Sequence, residues 1–115
     1  MEVFVRPVAF EVTVWPEDAY NDPARAMNAS TWHVTVAQVT GFHGVTWAIY
    51  RGAAGSGVCL SVGGSWDREP IPSSRTDDWL SQHRFYSLEN AIERAKLAAP
   101  RVEINGYTAA ELVGR

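Results

Sequence analysis

The chain of 115 residues is poor in cysteine and has no long apolar run, and each of these features excludes a class of protein. Cys59 is the one cysteine, so no disulfide can form within the chain, which suits a reducing compartment. No apolar run approaches the ~20 residues that span a bilayer. Met1 is not followed by the basic and apolar stretches of a secretory signal. These features predict a cytoplasmic protein that does not enter the membrane.

Basic residues are also scarce, since ten Lys and Arg stand against thirteen Asp and Glu, for a formal net charge of −3. This balance offers no basic excess for binding a phosphate backbone, so nucleic acid is a disfavoured partner. Lys96 is the one lysine, and such a preference for Arg indicates a GC-rich source, a high-GC bacterium or its phage. The length and the 46% of hydrophobic residues predict a single domain, residues 1–115, around one core.

Alternating apolar residues predict an antiparallel sheet of four to five strands. The first segment, Glu2 to Trp15, changes phase near Pro7, which predicts a bulge or an edge position there. Three further strands follow one another through short loops, which favours an antiparallel meander. They cover residues 31–39, 45–50 and 58–62. A short final strand is predicted at residues 102–104.

One main helix is predicted over residues 88–99, with Ser87 as its N-cap and Pro100 after its end. Its apolar residues recur at helical spacing and form a narrow, alanine-rich stripe that suits close packing on a sheet. Shorter helical turns are predicted after Asp22 and after Thr108. Strands followed by a helix predict an α+β fold: a two-layer sandwich in which one main helix packs on one face of the antiparallel sheet.

The stretch from Trp66 to Phe85 combines seven charged residues with one His, two Trp and two Pro. The prolines hold its first part extended, and Ser74 or Thr76 can cap a short helix over residues 77–80. In one interpretation the stretch is a structured linker, whose aromatic residues plug the open end of the sheet and whose charges pair internally. In this interpretation, Arg75 and Arg84 can form ion pairs with the acidic residues of the stretch, which are Asp67, Glu69 and Asp77.

In the other interpretation the same stretch is a binding surface, because Arg and Trp are the side chains most enriched at interface hot spots. The sequence then favours a non-enzymatic domain that binds another protein, with no cofactor. The candidate partner-binding residues are Trp66, Asp67, Arg68, Glu69, Arg75, Asp78, Trp79, His83 and Arg84.

A small hydrolase or nuclease is an alternative that uses the same stretch. The residue types of a hydrolytic triad occur there, at Ser73 or Ser74, His83, and Asp77 or Asp78. Asp67 with Glu69 is the residue pair that would bind a divalent metal. However, the chain has no Gly-x-Ser-x-Gly elbow, and its His residues and Cys59 lack zinc-ligand spacing. No metal site is therefore predicted.

A binder of single-stranded nucleic acid is the other alternative, because aromatic side chains on a sheet can stack on bases. Tyr50 and Phe42 are the candidates for exposure, whereas Trp32 and Trp47 share the parity of the apolar residues and are predicted to lie in the core. The stretch 52–57 lacks the Lys-Ser/Thr of a phosphate loop and is predicted to be a hairpin tip.

The second half of the chain contains the runs WDREPIPSSR at 66–75, DWL at 78–80, HRF at 83–85 and NGYT at 105–108. These runs resemble small uncharacterised proteins of actinobacteria and their phages. The resemblance covers roughly the C-terminal half and carries no known activity. It implies a cytoplasmic setting and, for a phage-borne protein, binding to a host protein.

The N-terminal strand offers a second route to a partner. As an edge strand, the segment Glu2 to Arg6 can pair with its counterpart across a two-fold axis and form a homodimer. Pro7 and the charges at both ends of the segment are, however, features of a blunted edge. The sequence leaves the homodimer as an alternative.

Overall fold

The computed structural model describes residues 1–41 and 44–114, and it shows an α+β fold built on an antiparallel sheet, as the sequence predicts. The main sheet contains β1 Ala9–Val12, β2 Val34–Gly41, β3 Gly44–Arg51, β4 Val58–Leu60 and β5 Trp66–Arg68. The helices are α1 Pro23–Thr31, α2 Asp77–His83, α3 Leu88–Ala98 and α4 Ala109–Val113. A small separate hairpin pairs β6 Glu103–Ile104 with β7 Tyr107–Thr108.

The strands of the main sheet lie side by side in chain order, and each neighbouring pair is antiparallel. β4 meets β3 at the pair Tyr50 and Cys59. Further along the same edge of β3, Trp47 exchanges two backbone hydrogen bonds with Phe85, at N–O distances of 2.7 and 2.9 Å. The chain that follows α2 therefore returns to the sheet beside β4.

Helix α3 covers one face of the sheet, here called the core face, by packing across β1, β2 and β3. The side chain of Ser87 accepts a hydrogen bond from the backbone N–H of Asn90, so the predicted N-cap is confirmed. The alanine stripe allows α3 to lie close to the strands. The buried residues of this interface include Val34, Val36, Trp47, Ile49, Leu60, Ala91 and Ala95.

A second, smaller apolar cluster lies on the opposite face of the sheet, where α2 packs. Trp79 of α2 contacts the buried residues of β2, β3 and β4 there, which are Ala37, Ala48, Tyr50 and Cys59. The expectation that Tyr50 is exposed is therefore wrong: its side chain is buried because α2 and the chain before it cover this part of the sheet. Phe42 and His43 lie outside the described residues.

The N-terminal segment departs from the sequence prediction. Residues 1–8 are exposed and lie outside the helices and strands of the described chain, so Glu2 to Arg6 is not an edge strand. The ladder between β1 and β2 continues as far as Val8, whose carbonyl accepts from the N–H of Gln38. Pro7 and the residues before it lie beyond this last hydrogen bond to β2.

Local signals place the remaining short elements correctly. The side chain of Asp22 accepts from the N–H of Ala24 at the start of α1, and Thr108 accepts from the N–H of Glu111 at the start of α4. Asn105 and Gly106, with φ of 55° and 82°, form the two-residue turn between β6 and β7. This hairpin, which contains most of the strand predicted at residues 102–104, stands apart from the main sheet, whose fifth strand is β5.

Within the ranges that the structure describes, no helix is long and apolar enough to cross a membrane.

Candidate functional site

Strand β5 and helix α2 together place much of the stretch 66–85 on the opposite face of the sheet. Asp67 is paired with Cys59 of β4, so the two side chains share that face. Thr76 is the N-cap of α2, and its side chain accepts from the N–H of Trp79, which confirms one of the two predicted caps. The short helix then lies over the sheet, and the chain re-enters it at Phe85.

Glu69 is the centre of a buried charged group that we call the Glu69 cluster. One carboxylate oxygen lies 3.0 Å from Nη2 of Arg75, and the other lies 2.8 Å from Nη2 of Arg84. The Tyr50 hydroxyl donates to the same carboxylate at 2.9 Å, and the Cys59 thiol lies 3.9 Å from it. The sequence prediction that both arginines can pair with Glu69 is confirmed, and two guanidinium groups share this one carboxylate.

The Glu69 cluster holds its two weak acids in their neutral forms. Burial, the hydrogen bond to Glu69 and its negative charge together raise the pKa of Tyr50 to about 12. Burial, and then the charge of Glu69, raise the pKa of the Cys59 thiol to about 11. Because the thiolate is the reactive form, Cys59 is a poor nucleophile at neutral pH. Both residues therefore act as donors and packing groups.

Asp67 and His83 form a second contact across the same face. Nε2 of His83 lies 2.7 Å from Oδ2 of Asp67, and Nδ1 lies 2.7 Å from the carbonyl oxygen of Trp79. Both neighbours are acceptors, so the ring satisfies both when each nitrogen carries a hydrogen. The hydrogen bond from His83, followed by that from the Ser65 hydroxyl, lowers the pKa of Asp67. The contact joins α2 to β5.

Trp79 packs between these two groups. Its ring is stacked on His83, with the centroids 4.2 Å apart and the planes at 9°, and the guanidinium carbon of Arg84 lies 5.2 Å from its centroid. The indole is half-buried against the small apolar cluster. Trp79 therefore serves the fold as a cover over the charged groups.

The nine candidate residues range from buried to exposed, and Asp67 and Trp79 are among the half-buried ones. His83 and Arg84 are buried, and the side chains of Glu69 and Arg75 are 8% and 20% exposed, so these four are engaged inside the protein. Trp66 is half-buried and packs against the main core. The exposed members are Arg68 and Asp78.

The residues of the hydrolase alternative do not come together as a triad. Ser73 and Ser74 lie on an exposed 3-10 turn, and both ring nitrogens of His83 face Asp67 and Trp79. Among the described residues, no group of three His, Cys, Asp or Glu side chains is placed to hold a metal ion. His33 is buried beside Glu11, with its Nε2 3.6 Å from that carboxylate.

A groove of about 440 Å³ lies between α2 and the end of the β2–β3 hairpin at which Gly41 pairs with Gly44, and we call it the hairpin groove. Its apolar lining comes from Val39, Leu80 and Tyr86, with Thr46 on β3. Arg75 and Arg84 border it, so its floor touches the Glu69 cluster. Tyr86 is 70% exposed, which leaves its ring available to a partner.

Sequence reasoning missed Val39, Thr46, Leu80 and Tyr86 as members of a site. Val39 and Thr46 share the parity of Ala37 and Ala48, which marks them as opposite-face residues. Tyr86 is two residues beyond Arg84 and takes the same side of the extended chain. This parity was the available signal, but the groove also depends on where α2 lies, which no local pattern shows.

A search of protein-family models, curated proteins and solved structures finds no match to this chain. The resemblance to small actinobacterial and phage proteins therefore stays a prediction. The contacts described above are the grounds for assigning a function.

Proposed function

We propose that the protein is a non-enzymatic domain that binds another protein through the hairpin groove and its rim. The observation that carries the proposal is the groove itself, an apolar hollow of about 440 Å³ beside an exposed tyrosine. Pockets of this kind accept the anchor side chain of a partner at interface hot spots. The partner inserts an apolar side chain between Leu80 and Val39.

The rim of the groove supports a macromolecular partner. Tyr86 lines the groove and is 70% exposed, and the charged residues Arg75 and Asp77 line it as well. Exposed apolar side chains around a hollow, with charged residues beside them, are typical of protein interaction surfaces. The Glu69 cluster below gives the groove a rigid floor, since its charges are already paired and need no rearrangement on binding.

A binding role, and not catalysis, is supported by the state of the reactive side chains. The Cys59 thiol is fully buried and its pKa is raised to about 11. His83 has both ring nitrogens engaged, so it has no free nitrogen to take a proton from a nucleophile. A neutral buried thiol also suits the cytoplasm of a bacterium or of a phage-infected host, where we place the protein.

The test is site-specific photocrosslinking with the full chain. A benzophenone amino acid at position 86 is exposed to an extract of an actinobacterial host, and the covalent adducts are identified by mass spectrometry. The same group at Leu97, which is 69% exposed on α3, is the matched control. We expect a discrete adduct from position 86 that position 97 does not give.

Competition then shows whether the groove is responsible. Unlabelled wild-type chain is expected to abolish the adduct, whereas Leu80→Glu and Tyr86→Ala, each checked for folding by circular dichroism, are expected not to compete. Equal adducts from positions 86 and 97, no adduct from either, or full competition by both variants would overturn the proposal.

A further inference from the structure

The N-terminal segment presents consecutive apolar side chains to solvent. Val3, Phe4 and Val5 are 86%, 80% and 100% exposed. The side chains of residues 1–8 have no hydrogen-bond or ion-pair partner within the part of the chain that the structure describes. A run of exposed apolar residues is costly on the surface of a monomer and marks a contact surface.

The overall dimensions agree with a protruding segment. A compact chain of this length has a radius of gyration of about 13 Å, and the observed value is 15.1 Å. The five residues from Glu2 to Arg6, when extended, span about 17 Å. The segment leaves the sheet from β1, which is its edge strand, so a partner can approach it without displacing any strand.

The order of residues in this segment allows two copies of it to pair with complementary charges. Glu2 and Arg6 carry opposite charges at equal distances from Phe4, and Val3 and Val5 stand on either side of it. An antiparallel pair of such segments, with its two-fold axis at Phe4, places Glu2 opposite the partner's Arg6 and Val3 opposite the partner's Val5. A parallel pair places like charges opposite each other, which is unfavourable.

We propose that a second copy of this chain binds here, with the two Glu2–Arg6 segments forming a two-stranded antiparallel ribbon centred on Phe4. The interface is isologous, as a two-fold dimer requires. Pro7, which has no N–H to donate, ends the ribbon in each copy. Such a ribbon is small, so the dimer is weak and forms in a concentration-dependent way. It uses different residues from the hairpin groove.

The test is sedimentation equilibrium of the full chain from low micromolar to near-millimolar concentration. We expect a monomer–dimer equilibrium in the wild-type protein. Glu2→Arg and Arg6→Glu each place two like-charge pairs in the ribbon and are expected to weaken the dimer by at least about tenfold. The two variants mixed together restore every charge pair, so the mixture is expected to form a heterodimer.

Matched controls change the same charges elsewhere on the surface. Glu103→Arg and Arg101→Glu alter exposed residues near the C-terminal hairpin and are expected to leave the equilibrium unchanged. A protein that stays monomeric at every concentration contradicts the proposal. So does a dimer that responds equally to the control variants, or a mixture of Glu2→Arg and Arg6→Glu that remains monomeric.

Discussion

Arg84 and Glu69 form an ion pair at 2.8 Å inside the protein, with side chains that are 3% and 8% exposed. Arg84 also donates to the carbonyl of His83, so its guanidinium is held from two sides. A buried pair of this kind adds little net stability by itself, because both charges lose their hydration. Substitution of one partner of the pair, however, leaves the other charge without a counter-charge in the interior.

Glu69→Gln is expected to lower the free energy of unfolding by about 3 kcal/mol, because the buried guanidinium of Arg84 loses its counter-charge. Urea unfolding followed by tryptophan fluorescence measures the change. The exposed Glu103→Gln is the control and is expected to shift stability by no more than about 0.5 kcal/mol. Equal effects of the two substitutions would mean that the Glu69 cluster is not a buried ionic group.

Alkaline pH is expected to destabilise the fold through Cys59 and Tyr50. Their pKa values rise on folding from 9.0 to about 11 and from 10.0 to about 12. The unfolded chain therefore loses these protons first, so their stabilising contribution is complete below pH 9.0 and is lost as the pH rises to about 12.

The measurement is the urea midpoint as a function of pH. Cys59→Ala removes the part of the slope that begins near pH 9.0, and Tyr50→Phe removes the part that begins near pH 10.0. A double variant with the same pH dependence as the wild-type protein would show that neither group titrates differently in the folded and unfolded states.

The Cys59 thiol is expected to react with iodoacetamide at least about a thousandfold more slowly in the folded protein than in urea, because opening of the domain must come first. The reaction is followed by mass spectrometry at neutral pH. The comparison protein combines Cys59→Ala with Ser81→Cys, which moves the thiol to an exposed position on α2. Its labelling is expected to be fast, and similar rates for the two proteins would contradict the burial of Cys59.

Trp79→Ala is expected to cost about 3 kcal/mol of stability, because it removes the stacked cover over His83 and Arg84. Trp79→Phe keeps a flat ring there and is expected to cost about half as much. Both values come from urea unfolding at neutral pH. A change below about 0.5 kcal/mol in Trp79→Ala would show that the indole is a surface group and not part of the packing.

Local sequence signals predicted the elements whose determinants are close in sequence. Ser87 caps α3 and Asn105 with Gly106 turns the small hairpin, each at the predicted place, and Thr76 is the one of two predicted caps that begins α2. Alternation gave the faces of β2 and β3 for the same reason, since a strand fixes the side on which each residue lies.

These local signals could not predict how the stretch 66–85 is arranged in the fold. His83 meets Asp67, sixteen positions earlier, because β5 and α2 lie side by side, and residue types alone offered several equivalent partners. The alternation of apolar residues also extended the first strand to Glu2, although the hydrogen bonding between this segment and β2 ends at the bond from Gln38 to Val8. Both outcomes depend on tertiary contacts, which override local preference.

The alanine stripe of α3 has a consequence for synthesis on the ribosome. Residues 88–99, which close the core face, follow all five strands of the main sheet in sequence. In a nascent chain that has emerged only as far as β5, the core face of the sheet is therefore not yet covered by α3. Chaperones and proteases meet the protein in this state, so premature termination before α3 yields a product that cells clear rather than accumulate.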